Sequence, residues 1–177
     1  MTSRFAYLLA FSLLFAAQAS AAPSHKPAAA ASPASGPKSI GKFDDWTAAT
    51  LQEAGQTVCY AFTPAQSSAP SLPGRGRVIL TVTQRSSGRD AVAIEAGFSY
   101  AANAAVNVQV DQTGLGFYTS QRAAFARDGK AAVAALAKGS RAIARSPGPK
   151  DVSVTDTFSL KGFEAAYAAI VKACPAK

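Results

Sequence analysis

The most reactive side chains in this chain are two cysteines, Cys59 and Cys174, and a single histidine, His25. A cysteine nucleophile needs a base beside it, and a zinc site needs several Cys, His or carboxylate ligands. His25 lies in a Pro/Ala/Ser segment, and no histidine follows it. That excludes ordinary Ser–His–Asp and Cys–His machinery and the common metal sites, and no cofactor is expected. Gly74-Arg75-Gly76 and Gly114-Leu115-Gly116 carry spaced glycines, but neither has the strand–turn–helix context of a phosphate cradle. Acidic residues are few and scattered, and the neighbours Asp44 and Asp45 read as an exposed turn. A hydrolase needs only two carboxylates, so an exported carboxylate-dependent hydrolase stays open as an alternative. Arg75, Arg77, Arg85 and Arg89 gather near strand ends and loops and read as a solvated rim.

The N-terminus says what the cysteines are for. Arg4 precedes an apolar run, Phe5 to Ala17, and small residues follow it. This is the layout of a secretory signal peptide, residues 1–19, with Ala17-Gln18-Ala19 as the cleavage motif and Ala19 the last residue removed. The run is shorter than the ~20 residues a bilayer span requires, so no membrane span is expected after removal. The destination is periplasmic or secreted. In an oxidising compartment an even cysteine count favours a disulfide, here Cys59 to Cys174. Loss of Arg4 with the leader lowers the formal charge from +8 to +7. No basic helix or basic–aromatic motif accompanies that charge, and export makes nucleic acid an implausible partner. An anionic envelope surface suits it better.

Residues 20–39 form a Pro/Ala-rich linker with nothing large to bury. Residues 40–177 are then one domain, long enough to enclose a core. Trp46, the single tryptophan, is read as a buried anchor. Period-2 alternation marks strands at Val78/Leu80/Val82, at Val92/Ile94/Ala96/Phe98/Tyr100, at Val106/Val108/Val110 and at Val152/Val154/Phe158/Leu160. A further strand at Gln56–Thr63 sets Val58, Tyr60 and Phe62 against Thr57, Cys59 and Ala61. Gln112–Gly116 reads as a turn. Asp128 can cap a helix that runs to Lys138 and stops at Gly139. A second helix starts near Ser159, with Phe163, Tyr167, Ile170, Val171 and Cys174 on one face. The fold class is mainly β, an antiparallel β-sandwich with two short α-helices, the second C-terminal.

One register carries a specific expectation. If the loop Ser146–Asp151 centres a hairpin between Gly148 and Pro149, Arg141 falls opposite Asp156. Asp156 lies on the apolar face of its strand, where a lone carboxylate is costly. A cross-strand Arg141–Asp156 pair would answer that cost; a bulge turning Asp156 outward is the alternative.

In order and spacing, FDDW, QTVCYAF, VNVQVD and the closing FSLKGFEAAYAAI…CP resemble the invasion-associated locus B family. The resemblance covers residues 40–177. It implies a periplasmic or envelope-associated alphaproteobacterial β-sandwich without established enzymatic activity, some members being linked to host-cell entry. Its expected partner is an unidentified envelope or host component, in an oligomeric state the sequence does not specify. Familiar members carry a cysteine soon after the tryptophan and others mid-chain. Here Ala48–Thr50 and Ser120–Arg127 hold none, so their disulfide scheme does not transfer. Beside the hydrolase, a carbohydrate-binding module and a structural module displayed on the linker remain as other readings.

Overall fold

The computed structural model describes residues 36–176. The leader, its cleavage at Ala19 and most of the linker lie outside the described residues. The described residues form eleven strands: β1 (Lys38–Phe43), β2 (Trp46–Glu53), β3 (Gln56–Pro64), β4 (Ser67–Ala69), β5 (Ile79–Gln84), β6 (Ala91–Glu95), β7 (Ala105–Val110), β8 (Thr113–Ser120), β9 (Ala123–Ala126), β10 (Arg141–Pro147) and β11 (Ser153–Ser159). Two helices, α1 (Gly129–Lys138) and α2 (Phe163–Ala173), complete the fold. The mainly antiparallel β architecture with a C-terminal second helix is the one expected from the sequence.

The strands that face one another across the core belong to a single sheet, in the order β1-β2-β3-β5-β6-β9-β8-β7-β10-β11-β4. Its closure is visible in two consecutive amides. Ala65 N–H donates to Val78 O at 2.9 Å on the β5 side, and Gln66 N–H donates to Thr157 O at 2.8 Å on β11. The chain thus leaves one sheet partner and joins the other, continuing as β4 against Thr155–Thr157. The β3–β4 segment thereby ties the β11 end of the sheet back to β3, its third strand, leaving fewer unpaired edge groups.

Alternating apolar positions point inward as expected: Leu80 and Val82, Val92 and Ile94, and Val106, Val108 and Val110 are all buried. In β3 the small face, Cys59, Ala61 and Thr63, turns to the core, while Tyr60 and Phe62 stack on each other outside. Helix α2 lies across β2 and β3 and buries Phe163, Ala166 and Ile170. Helix α1 buries Ala132, Val133 and Leu136, and Asp128 caps it by accepting from Ala131 N–H at 2.9 Å. Trp46 is fully buried; its indole donates to Ser159 O at 3.0 Å and meets Phe163 edge-on at 4.8 Å.

Three local expectations are corrected. The turn expected at Gln112–Gly116 is confined to Asp111 and Gln112, and Gly114 and Gly116 lie within β8. The second helix starts at Phe163, because β11 runs on through Ser159. Ser159 Oγ accepts from Lys161 N–H at 3.2 Å and does not cap α2. Gly162 makes the reversal at φ 88°, a left-handed conformation favouring glycine, and a Cβ there would run into the Phe43 carbonyl. Gly162→Ala is therefore expected to cost at least about 1–3 kcal/mol from backbone conformation alone. A urea midpoint shift toward lower denaturant reads that loss.

The third correction concerns the β10–β11 hairpin. Arg141 lies opposite Ser159, Ile143 opposite Thr157 and Ala144 opposite Asp156. Pro149 opens a short 3-10 turn, Lys150 takes φ 56°, and Gly148 N–H closes the loop on Val152 O at 2.7 Å. The turn uses more chain than a tight hairpin and moves the register. The expected Arg141–Asp156 pair is not formed.

Candidate functional site

Asp156 faces inward and is 2 % exposed, so the alternative of an outward-turned carboxylate is also ruled out. Its partner is Arg75. The guanidinium meets the carboxylate end-on, Nη1 to Oδ1 and Nη2 to Oδ2 both at 2.8 Å, and Ser68 Oγ donates to Oδ1 at 2.7 Å. Arg75 Nε–H goes to Ala96 O at 2.8 Å, and the guanidinium lies 5.0 Å from the centre of the Phe98 ring. A bidentate, stacked and desolvated arginine of this kind is a different object from a rim residue. Its side chain is only 6 % exposed, which corrects the reading of Arg75 as part of a solvated rim.

The glycines around Arg75 explain how it reaches the interior. Gly74 has φ 73° and Gly97 has φ 76°. Gly76 N–H donates to Gly97 O at 3.0 Å, and a Cβ on Gly97 would strike the Gly76 carbonyl. The Gly74-Arg75-Gly76 sequence is thus the entry point of a buried cation. Ala96, Phe98 and Val154, with Leu72 and Tyr100 beside them, form a small second core around the pair. Burial pushes the Tyr100 hydroxyl above the usual phenol range, partly offset by its contact with Ser146. A depression of about 330 Å³ opens beside this centre; Ser68, Ser71, Arg75 and Arg77 are among its lining residues.

A second polar centre ties α2 to the sheet. Gln84, fully buried at the end of β5, donates from Nε2 to Asp90 Oδ1 at 2.6 Å and accepts from Asp90 N–H at 3.1 Å. Tyr167 on α2 donates its hydroxyl to the same carboxylate oxygen at 2.7 Å. Arg89 donates to Cys174 O at 2.6 Å, satisfying a carbonyl at the end of α2. Asp90 sits at φ 55°, with Gly129 against its carbonyl, so the start of α1 is held to the same point. The outer wall is a depression of about 680 Å³ lined in part by Arg89, Asp90, Lys130 and Tyr167.

Burial first, then the hydrogen bond to Asp90 and its charge, push the Tyr167 hydroxyl up to about 12. A raised acid favours the protonated folded state. Its stabilising contribution is intact below the ordinary phenol value near 10 and is lost as pH rises from there through about 12. Tyr167→Phe is expected to remove that alkaline component and to cost about 1–2 kcal/mol at neutral pH through the lost hydrogen bond. Urea unfolding at neutral and alkaline pH checks both.

Cys59 and Cys174 are bonded, with Cα atoms 5.9 Å apart and a sequence separation of 115. The bond fixes the end of α2 to the small-residue face of β3. In chemical terms, both cysteines are consumed, Asp156 is saturated by donors, and Asp90 holds a helix. Among the described residues no group of three or more Cys, His or acidic side chains is placed to bind a metal ion. The sequence pointed to Cys59, Cys174 and Asp156. It missed Arg75, whose flanking glycines were the available signal, and Tyr167, which looked like one more member of an apolar stripe.

Comparison with known proteins adds a family. No curated protein matches the chain. Among solved structures, the crystal structure of invasion associated protein b from Bartonella henselae superposes with a TM-score of 0.54. It covers 75% of this chain and 96% of that one at 17% identity, a likeness of fold. The profile of the family described as Invasion associated locus B (IalB) protein matches residues 46–171, from the buried Trp46 through all but the last two residues of α2. With most of the chain matched, this protein belongs to the Invasion associated locus B (IalB) protein family.

Proposed function

We propose that this chain is an exported periplasmic or envelope protein, released from its leader after Ala19, which acts by binding an envelope or host component and not by catalysis. One observation carries the reading. Five surface depressions on the described residues are each lined by at most one carboxylate, Asp90 in one and Glu164 in another. A two-carboxylate hydrolase needs its pair across a single cleft, within roughly 5–10 Å. The Cys59–Cys174 bond supports an oxidising destination. No described helix is long and apolar enough to cross a membrane.

Fractionation of the native host, followed by mass spectrometry of the mature protein, tests the compartment. The expected result is an N-terminus at Ser20 and a non-reduced peptide linking Cys59 to Cys174. Recovery from the cytosol with two free thiols would overturn the proposal.

A further inference from the structure

The outer face of β7 to β10 combines charge, amides and an aromatic ring in one plane. Register places Arg145 of β10 beside Asn107 of β7, and Asn107 beside Gly116 of β8. Gln109 stands beside Gly114 two pairs further along. Gly114 and Gly116 leave a strip without side chains, and with Asn107, Gln109 and Arg145 they line a depression of about 420 Å³. Arg127, just past β9, crosses toward the strip from the other side. Its backbone N–H bonds Gly116 O at 3.0 Å, and its Cδ lies 3.6 Å from where a Gly116 Cβ would stand. The Arg127 guanidinium is 6.0 Å from the centre of the Tyr118 ring, which stacks on Phe125. Tyr118 is 46% exposed, one of two large hydrophobic residues so exposed among the described residues.

Arg127 and Arg145 on this face stand unpaired, and the neighbouring carboxylate just past β7, Asp111, is taken up by Ser140. Among the described residues, Arg75, Arg85, Arg122 and Lys161 have carboxylate partners, whereas Arg127 and Arg145 have none within 4 Å. No Asp or Glu occupies an outward position on β7, β8, β9 or β10.

Resting on the binding reading above, we propose that this face binds an acidic polysaccharide laid across the glycine strip. The guanidinium forks of Arg127 and Arg145 match carboxylates, and β9, which leads into Arg127, lies about 14 Å from β10 at ordinary strand spacing. The Asn107 and Gln109 amides offer donors and acceptors to sugar hydroxyls. The exposed Tyr118 ring offers an apolar face to the C–H face of a sugar. The glycine strip lets a flat ring approach the backbone. A membrane surface fits less well, because no other large apolar side chain on the face is as exposed as Tyr118.

The test is a titration of the full chain with polygalacturonate, a neutral galactan, anionic phospholipid vesicles and duplex DNA, with polymer length followed in the same samples. The expected result is salt-sensitive binding of polygalacturonate alone. It weakens at least tenfold in R127Q/R145Q and severalfold in Tyr118→Ala, and is unchanged in Arg85→Gln. Absence of polygalacturonate binding, or binding that survives R127Q/R145Q, overturns the inference and leaves the broader binding role standing. Equal binding of the galactan, vesicles or DNA overturns the assignment to an acidic polysaccharide. Shortening of the polymer overturns the non-catalytic reading instead.

Discussion

Arg75→Ala is expected to destabilise the folded protein by about 3–5 kcal/mol, because it strands Asp156 as a buried charge. That is a large part of the roughly 5–15 kcal/mol available to an ordinary domain. The Asp156 side chain is 3% exposed and depends on Arg75 for two of its three hydrogen bonds. Asp156→Ala should lose a comparable amount by leaving the guanidinium between Phe98 and the Ala96 carbonyl without a counter-charge. The double variant R75M/D156L removes both charges and fills both volumes, so most of the single-mutant loss should return. Urea midpoints of the four proteins form the cycle that checks this. A small effect of Arg75→Ala would mean that water reaches Asp156 and compensates it.

Removing the disulfide as C59A/C174A is expected to lower stability by about 2–4 kcal/mol. The bond closes a separation of 115 residues, for which chain entropy alone gives about 4–5 kcal/mol, reduced in practice by native-state strain and residual order in the unfolded chain. The helix it holds is also secured by Phe163, Ala166 and Ile170 in the core, by Tyr167 to Asp90 and by Arg89 to Cys174 O. The double variant should therefore fold, unfold at lower urea and become indifferent to reductant. Wild-type protein should lose the same increment when reductant is added. An unchanged wild-type midpoint under reducing conditions would show that the bond does not constrain the chain.

The strands were legible where inward valine, leucine and isoleucine alternate, as at Val106, Val108 and Val110, because period-2 burial leaves that trace directly. β8 and β9 left none. Thr113–Ser120 carries two outward glycines, and Ala123–Ala126 is nearly all small residues, so neither shows contrast between its faces. The cap of α1 was legible because Asp128 acts within its own turn. The start of α2 was not, since Gly162 reverses the chain where a nearby serine looked like a cap. Asp156 was recognisable as an inward carboxylate from its own strand. Its partner lies 81 residues away in a loop rich in Pro and Gly, and no local pattern records such a contact. The hairpin register failed for a local reason: the turn at Pro149 shifts the pairing by three positions in residue-number sum, so that Ala144 takes the place given to Arg141.

The proposed separation between an interior that holds the fold and an outer face for binding is tested most directly by measuring polygalacturonate binding to folded R75M/D156L and to R127Q/R145Q side by side. The core double variant should bind like the wild type, and the surface double variant should bind at least tenfold more weakly. Loss of binding in a folded R75M/D156L, with binding retained in R127Q/R145Q, would contradict that separation and place the buried pair in the functional site.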